Sequence, residues 1–283
     1  MGTAPKRITV PWVREARARG ERLVMVTAYD FPGGRLADQA GVDLVLVGDS
    51  LAMVVLGHDD TLAVTMDEML HHVRAARRGV ARALLVADMP FGSFHLGPEQ
   101  AVANALRFVK EAGAQAVKIE GARTDVIRAL VDAEIPTMGH IGLTPQSIHR
   151  FGGFRVQGRG AEARTALLEA ARAVEEAGAF ALVLECIPSE LAREVTSELG
   201  IPTLGIGAGA ACDGQVLVFH DLLGIEERIA PRFVRRYAEL GRDTRQALEA
   251  FARDVRSGAF PSPQEAFDDP GFPAPRVERL YGA

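Results

Sequence analysis

Eight short apolar runs, helical patterns between them and polar residues at their ends predict an α/β chain closed into a (β/α)8 TIM barrel. The runs are Leu23–Tyr29, Val42–Gly48, Ala83–Ala87, Ala116–Glu120, Thr137–Ile141, Ala179–Glu185, Pro202–Ile206 and Val216–His220. Their length, about 5–7 residues, and their lack of polar alternation suit parallel strands covered on both faces. Pro98–Ala112 and Ala161–Ala177 repeat apolar residues at three-to-four spacing, the period of an amphipathic helix. Glycine follows each, Gly113 and Gly178, where a left-handed residue ends a helix. Glu-Ala-Gly-Ala at 111–114 recurs at 176–179, one helix-to-strand junction used twice. The last crossover is the weakest link. Only Gly207–Gln215 separates the last two runs, short for a parallel connection, so Val216–His220 also reads as helix. The rival architecture, an open doubly wound sheet, lacks a glycine fingerprint after its first strand.

No boundary shows between residues 20 and 240, so 1–283 reads as a single barrel domain with its core at about 20–245. From about 257 a Pro-, Asp- and Phe-rich stretch, with Pro261, Pro263, Pro270, Pro273 and Pro275, forms an irregular C-terminal arm.

The 283 residues are 48% hydrophobic and 24% charged, which excludes wholesale disorder. Net charge is −5 and the basic residues form no stripe, so no nucleic-acid partner is expected. No apolar run approaches the ~20 residues that span a bilayer. Met1–Gly20 lacks the apolar stretch of a signal peptide. Two cysteines, Cys186 and Cys212, cannot frame disulfides or a four-cysteine zinc site. A cytoplasmic protein with no membrane partner is the expectation. Of 32 basic residues only Lys6, Lys110 and Lys118 are lysine, so a lysine within an apolar strand stands out.

The ends of the runs carry the chemistry. Asp30 follows the first, Asp49 and Ser50 the second, and Asp88 the third; Lys118 and Glu120 end the fourth. His140 falls in the fifth, Glu185 closes the sixth, and His220 and Asp221 close the eighth. In a barrel these ends meet at one mouth, where catalytic groups are built. A lone carboxylate there is usually a helix cap. Several acids converging on one mouth call for a cation. Asp49, Asp88 and Glu120 are hard oxygen ligands without a cysteine or histidine cluster, which favours Mg2+ over zinc. The bland alternative is two caps and a glutamate paired with a lysine.

Lys118 and Glu120, two apart on a strand, both face the barrel interior, while Val117 and Ile119 face the helices. Lys118 then holds a substrate carboxylate, neutralises an enolate, pairs with Glu120 or forms a Schiff base. Glu185 ends an apolar strand whose desolvation suits a general base. Cys186 is expected on the opposite face as packing. His140 either donates to substrate or locks the fifth strand. His71, His72, His95 and His149 read as structural. Gly205-Ile206-Gly207-Ala208-Gly209 resembles a phosphate loop, and the glycine-rich stretch from Gly152 to Gly160 reads as a mobile lid.

These residues fall in a set of motifs that resembles the ketopantoate hydroxymethyltransferase family. They are Thr27-Ala28-Tyr29-Asp30, Val47-Gly48-Asp49-Ser50, Ala87-Asp88-Met89-Pro90-Phe91 and Val117-Lys118-Ile119-Glu120-Gly121. Further on come Gly139-His140-Ile141-Gly142-Leu143-Thr144-Pro145-Gln146, Leu184-Glu185-Cys186 and the run Gly205–Gly209. The resemblance spans Leu23 to about Phe260 and implies a barrel of the phosphoenolpyruvate/isocitrate lyase type in a homo-oligomer, often a decamer. It implies Asp49 and Asp88 as Mg2+ ligands, with Glu120 completing the shell directly or through water. It puts Asp49, Ser50, Asp88 and Lys118 around a 2-oxo acid and makes Glu185 the proton acceptor. The implied reaction moves a hydroxymethyl group from 5,10-methylenetetrahydrofolate to 3-methyl-2-oxobutanoate through a magnesium-stabilised enolate, yielding 2-dehydropantoate for pantothenate biosynthesis. Ala52, Asp60 and Leu223 depart from the family's usual glycine, serine and phenylalanine, and none is a proposed ligand.

Overall fold

A computed structural model describes residues 7–228 and 231–267. Strands β1 (Leu23–Thr27), β2 (Leu44–Val47), β3 (Leu84–Asp88) and β4 (Ala116–Glu120) are followed by β5 (Thr137–Gly142), β6 (Ala181–Glu185), β7 (Thr203–Ile206) and β8 (Gly214–Leu217). All are parallel and pair in chain order, and β8 returns to β1, closing the barrel. The register sets Asp88 beside Lys118 and Glu120 beside His140.

Alternation along each strand makes two cores. Met25, Leu46, Val86, Met138, Val183 and Val216 pack inside the barrel. Val45, Leu85, Val117, Ile119, Leu182 and Leu184 pack outward in the layer that includes the helices. Lys118 and Glu120 share the inward face of β4 with Ala116, as their spacing requires. The N-terminal helix Val10–Arg14 was not evident in the sequence, being only five residues long. Its Val13, together with Ile8 and Ala16, joins the inner core beside Leu23, Leu44 and Leu84 at the strand starts, sealing the barrel floor.

Helices Phe31–Gln39, Met66–Gly79, Pro98–Ala112, Thr124–Asp132, Ala161–Glu176 and Ser189–Glu198 provide the crossovers after β1 to β6. Gly113 ends its helix at φ 75°, the left-handed conformation expected there. The β7–β8 connection, 207–213, has no helix. A four-residue strand is about 13 Å long, which seven extended residues span with room to spare. Asp213 ties the connection down by accepting from the Thr203 N–H at 2.9 Å. The eighth strand therefore starts and ends earlier than expected. His220 and Asp221 belong to the short helix Phe219–Leu222 instead of closing β8.

The chain divides into two compact units between Ala238 and Glu239. The described part of the second unit comprises the helix Leu240–Ser257, none of whose residues is buried, and the turn Pro263–Glu265. Within it the Phe251 and Phe260 rings meet edge to face at 5.4 Å. The rest of the expected arm, 268–283 with Pro270, Pro273 and Pro275, lies outside the described residues. Among the described residues no helix is long and apolar enough to cross a membrane.

Two helices, Phe31–Gln39 and Met66–Gly79, touch backbone to backbone through glycines. A Cβ on Gly79 would lie 2.4 Å from the Phe31 carbonyl oxygen and 2.6 Å from the Arg35 nitrogen. Gly79→Ala forces these helices apart and is expected to cost about 1–3 kcal/mol, the usual penalty of overpacking. Urea unfolding followed by circular dichroism checks this; an unchanged midpoint contradicts the close approach.

Candidate active site

The ends of β2 to β6 open onto one cavity of about 490 Å³ at the C-terminal mouth. Asp49, Ser50, Asp88, Lys118, Glu120, His140 and Glu185, the residues selected from the sequence, all line it. Asp30 does not. It caps the helix Phe31–Gln39, accepting from the Gly33 N–H at 2.7 Å. Asp49 and Asp88 cap nothing, so the bland reading of these two as helix caps fails.

Five charged groups are buried together here: Asp49, Asp88, Lys118, Glu120 and His140. Lys118 Nζ donates to both oxygens of Asp88 at 2.6 Å and stands 3.9 Å from Glu120. Its close partner is Asp88, across the β3–β4 register, not Glu120. Burial pulls the Lys118 pKa down, but Asp88, Glu120 and Asp49 hold it above its ordinary value. An ammonium bound this way is no Schiff-base nucleophile, which requires a neutral amine.

Glu120 is satisfied. Its Oε2 accepts from the Gln146 N–H at 2.9 Å, and its Oε1 lies 3.5 Å from His140 Nδ1. Burial raises its pKa, but His140, Lys118 and the Gln146 N–H outweigh that and hold it below the usual carboxylate range. His140 bridges two acids, with Nε2 3.2 Å from Glu185 Oε2. Burial and Lys118 push its pKa down, and Glu120 and Glu185 bring it up to about 9. The contacts are those of an imidazolium between carboxylates; neither ring nitrogen has hydrogen-bond alignment.

Asp49 is the group left over. Its pKa is raised well above the usual range by burial, then by Asp88 and Glu120. Asp88 is also raised by burial, against the pull of Lys118. Among the described residues Asp49 has no ion-pair partner, and four carboxylates, Asp49, Asp88, Glu120 and Glu185, face one lysine and one imidazolium. No three His, Cys, Asp or Glu side chains among the described residues are grouped to hold one ion. The cause is visible in Glu120, whose oxygens are already engaged by Gln146, His140 and Lys118. Asp49 is free of ion pairs, and Asp88, beside it, is held by Lys118 alone, so an ion at Asp49 would share Asp88 with the lysine. Two carboxylates, with water and substrate oxygens, are what Mg2+ commonly takes, so the donor set fits that ion.

Gln146 was not singled out from the sequence, although it lies in a quoted motif. Its Nε2 donates to Asp49 Oδ2 and to the Met89 carbonyl, both at 2.9 Å. With two acceptors around it, the amide has one sensible orientation, and its Oε1 is left buried without a partner. Only the fold reveals this role, because a turn after β5 brings Gln146 beside the end of β2.

Glu185 is partly open, with 15% of its side chain exposed, so the apolar enclosure expected for it is incomplete. Cys186 does not turn away as strand alternation predicts. It sits at φ 47°, outside the β region, and lines the same cavity. Burial, and then Glu185, push its thiol up to about 12, which agrees with packing rather than nucleophilic chemistry. Ser50 Oγ lies 2.9 Å from the Tyr29 hydroxyl. The glycine run does not form a vacant anion cradle. Gly207 faces the Phe233 ring, Gly209 faces Ser189, and Gly205 faces Cys212 and Gln215.

A profile of the ketopantoate hydroxymethyltransferase family matches residues 7–263. The chain belongs to this family. A 3-methyl-2-oxobutanoate hydroxymethyltransferase of Heliobacterium modesticaldum is 53% identical over 264 residues, 93% of this chain and 96% of the relative. Its namesake from Syntrophotalea carbinolica is 55% identical, over 93% of this chain and 99% of the relative. Among solved structures, oxaloacetate acetylhydrolase matches with a TM-score of 0.60 at 15% identity, over 92% of this chain and 91% of that one. Phosphonopyruvate hydrolase, solved with oxalate and Mg2+, matches with a TM-score of 0.58 at 17% identity, over 91% and 93%. The 2,3-dimethylmalate lyase of the PEP mutase/isocitrate lyase superfamily gives 0.57 at 19%, over 91% of each chain. At these identities the structural likeness bears on the fold alone, a closed (β/α)8 barrel.

Gln146→Leu keeps the bulk of the side chain and removes both donated bonds, leaving Asp49 and the Met89 carbonyl short of a donor. A loss of about 1–3 kcal/mol is expected, the cost of buried groups left unsatisfied. Thermal unfolding of the metal-free protein measures it, and wild-type stability would contradict the tether.

Proposed function

We propose that the chain transfers a hydroxymethyl group to 3-methyl-2-oxobutanoate, with 5,10-methylenetetrahydrofolate as donor and Mg2+ as resident ion. The products are 2-dehydropantoate and tetrahydrofolate, with one water consumed, in pantothenate biosynthesis. The observation that carries this reading is the division of labour among the acids of one cavity. Asp49 lacks a cationic partner beside the Lys118–Asp88 pair, whereas Glu185 lies at the end of β6, backed by His140.

Asp49 and Asp88 would hold the ion, with Glu120 behind them, reached through water. When bound, Mg2+ supplies Lewis-acid polarisation of the oxo-acid oxygens. The chain's own residues do the rest. Lys118 keeps its charge beside Asp88 and offsets negative charge developing on the substrate. Ser50 offers its hydroxyl at the same wall, with the Tyr29 hydroxyl 2.9 Å behind it. Glu185 takes the proton from C3, and His140 keeps its carboxylate aimed into the cavity. The C3 carbon then forms a bond to the donor's methylene carbon as one of its two folate nitrogens leaves and takes up the proton that Glu185 removed. Water displaces the second nitrogen, giving its oxygen to the hydroxymethyl group and a proton to that nitrogen, and tetrahydrofolate departs. Met25, Leu46, Val183 and Val216 form an apolar floor suited to the branched end of the oxo acid. From the cysteine usage we place the reaction in the cytoplasm, and the family resemblance implies a homo-oligomer, often a decamer.

Mass spectrometry of a mixture of oxo acid, methylenetetrahydrofolate and Mg2+ tests the reaction, with 2-dehydropantoate as the expected product. Glu185→Gln preserves size but removes the base, so kcat should fall by on the order of 10²–10⁴. NMR of C3 proton exchange into deuterated water, without folate, isolates that step. Exchange at the wild-type rate in Glu185→Gln would contradict Glu185 as the base.

A further inference from the structure

The cavity rim carries the same pair of residues twice. Phe154 and Arg155 come from the segment between β5 and the helix Ala161–Glu176, and Arg232 and Phe233 from the segment after β8. All four line the cavity that Asp49, Lys118 and Glu185 line. The two rings are 52% and 37% exposed. A single exposed phenylalanine needs no explanation, but two at the mouth of a reactive cavity form an apolar surface of the kind that meets ligands. Neither the Arg155 nor the Arg232 side chain makes a hydrogen bond or ion pair among the described residues. Arg228, in the same lining, is instead committed to Glu226 at 2.8 Å.

Both pairs are anchored beside the reacting groups. A Cβ on Gly207 would come within 2.9 Å of the Phe233 ring, so the glycine creates the seat on which that ring rests. Gly207 faces Cys186 as well, the neighbour of Glu185. The Phe154 segment is pinned where the Gln157 N–H donates to the Cys186 carbonyl at 2.9 Å. The rim rings and the base thus share one support. A volume of about 490 Å³ is the size of a site for a drug-sized ligand and far exceeds a five-carbon oxo acid. The remaining space, lined by two exposed rings and by two arginines without a hydrogen-bond or ion-pair partner among the described residues, fits a flat aromatic molecule with an anionic tail.

We propose that Phe154–Arg155 and Arg232–Phe233 form the donor subsite. The rings contact the flat aromatic part of the folate, and the two arginines pair with carboxylates of its glutamate tail. This rests on the folate reading given above, and the test keeps the two apart.

The test uses calorimetry of the full chain with tetrahydrofolate, as its monoglutamate and its triglutamate, alongside C3 proton exchange of the oxo acid without folate. Phe154→Leu and Phe233→Leu should each weaken monoglutamate binding about tenfold, the scale of one lost aromatic contact. Arg155→Gln combined with Arg232→Gln should remove the extra affinity of the triglutamate over the monoglutamate, an advantage that salt should also diminish in the wild type. Exchange should continue in all of them, because that step needs no donor. Wild-type affinity for both folates in every variant overturns the subsite, as does parallel loss of binding and exchange. A wild-type chain that exchanges the proton yet binds no tetrahydrofolate overturns the folate reading itself, and the subsite with it.

Discussion

Lys118 grips both oxygens of Asp88 at 2.6 Å inside the barrel, and the rest of the site is organised by the charge that this pair leaves over. A buried ion pair of this kind is costly to assemble, and breaking it by removing one partner typically loses 3–5 kcal/mol. The pair neutralises one carboxylate. His140 serves Glu120 and Glu185 from its two ring nitrogens. Asp49 is then the carboxylate without a counter-charge, held in place by the Gln146 amide. The Mg2+ that we propose Asp49 and Asp88 hold would complete the balance, and without it a proton would take its place.

The barrel makes this arrangement possible. Parallel strands place every C-terminal end at one mouth, so residues distant in sequence meet without long loops. The inner apolar layers and the N-terminal seal exclude water from below, which strengthens each electrostatic contact above. Helix contacts on the outside hold the strands in register, and the register, more than any loop, sets Asp88 against Lys118 and Glu120 against His140. Glu185 differs in kind. It stands at the open side of the cavity, where a proton acceptor can meet both substrate and solvent.

Much of this was legible in the sequence because strands buried on both faces announce themselves as apolar runs. β4 and the helix Pro98–Ala112 match their expected limits, the helix being framed by proline and glycine. The candidate acids stood out because charge at the end of an apolar strand is expensive. What was missed has physical causes. β8 is short and partly exposed, and its apolar residues run on into the next helix, so its limits blurred. Cys186 escaped the alternation rule because its backbone leaves the β region directly after Glu185. Gln146 carries no charge and sits in a turn, and only the closure of the barrel brings it to Asp49. The glycine run looked like a place for a ligand, yet side chains of the same chain occupy the space each glycine leaves.

The charge balance at Asp49 and Asp88 is the central claim, and calorimetric titration of the metal-stripped chain with Mg2+ tests it most directly. The wild-type chain should bind one ion per chain. Asp49→Asn, which removes the unbalanced charge and leaves the Lys118–Asp88 pair intact, should lose most of that affinity. Equal Mg2+ binding by the two proteins, or none by either, would contradict the account.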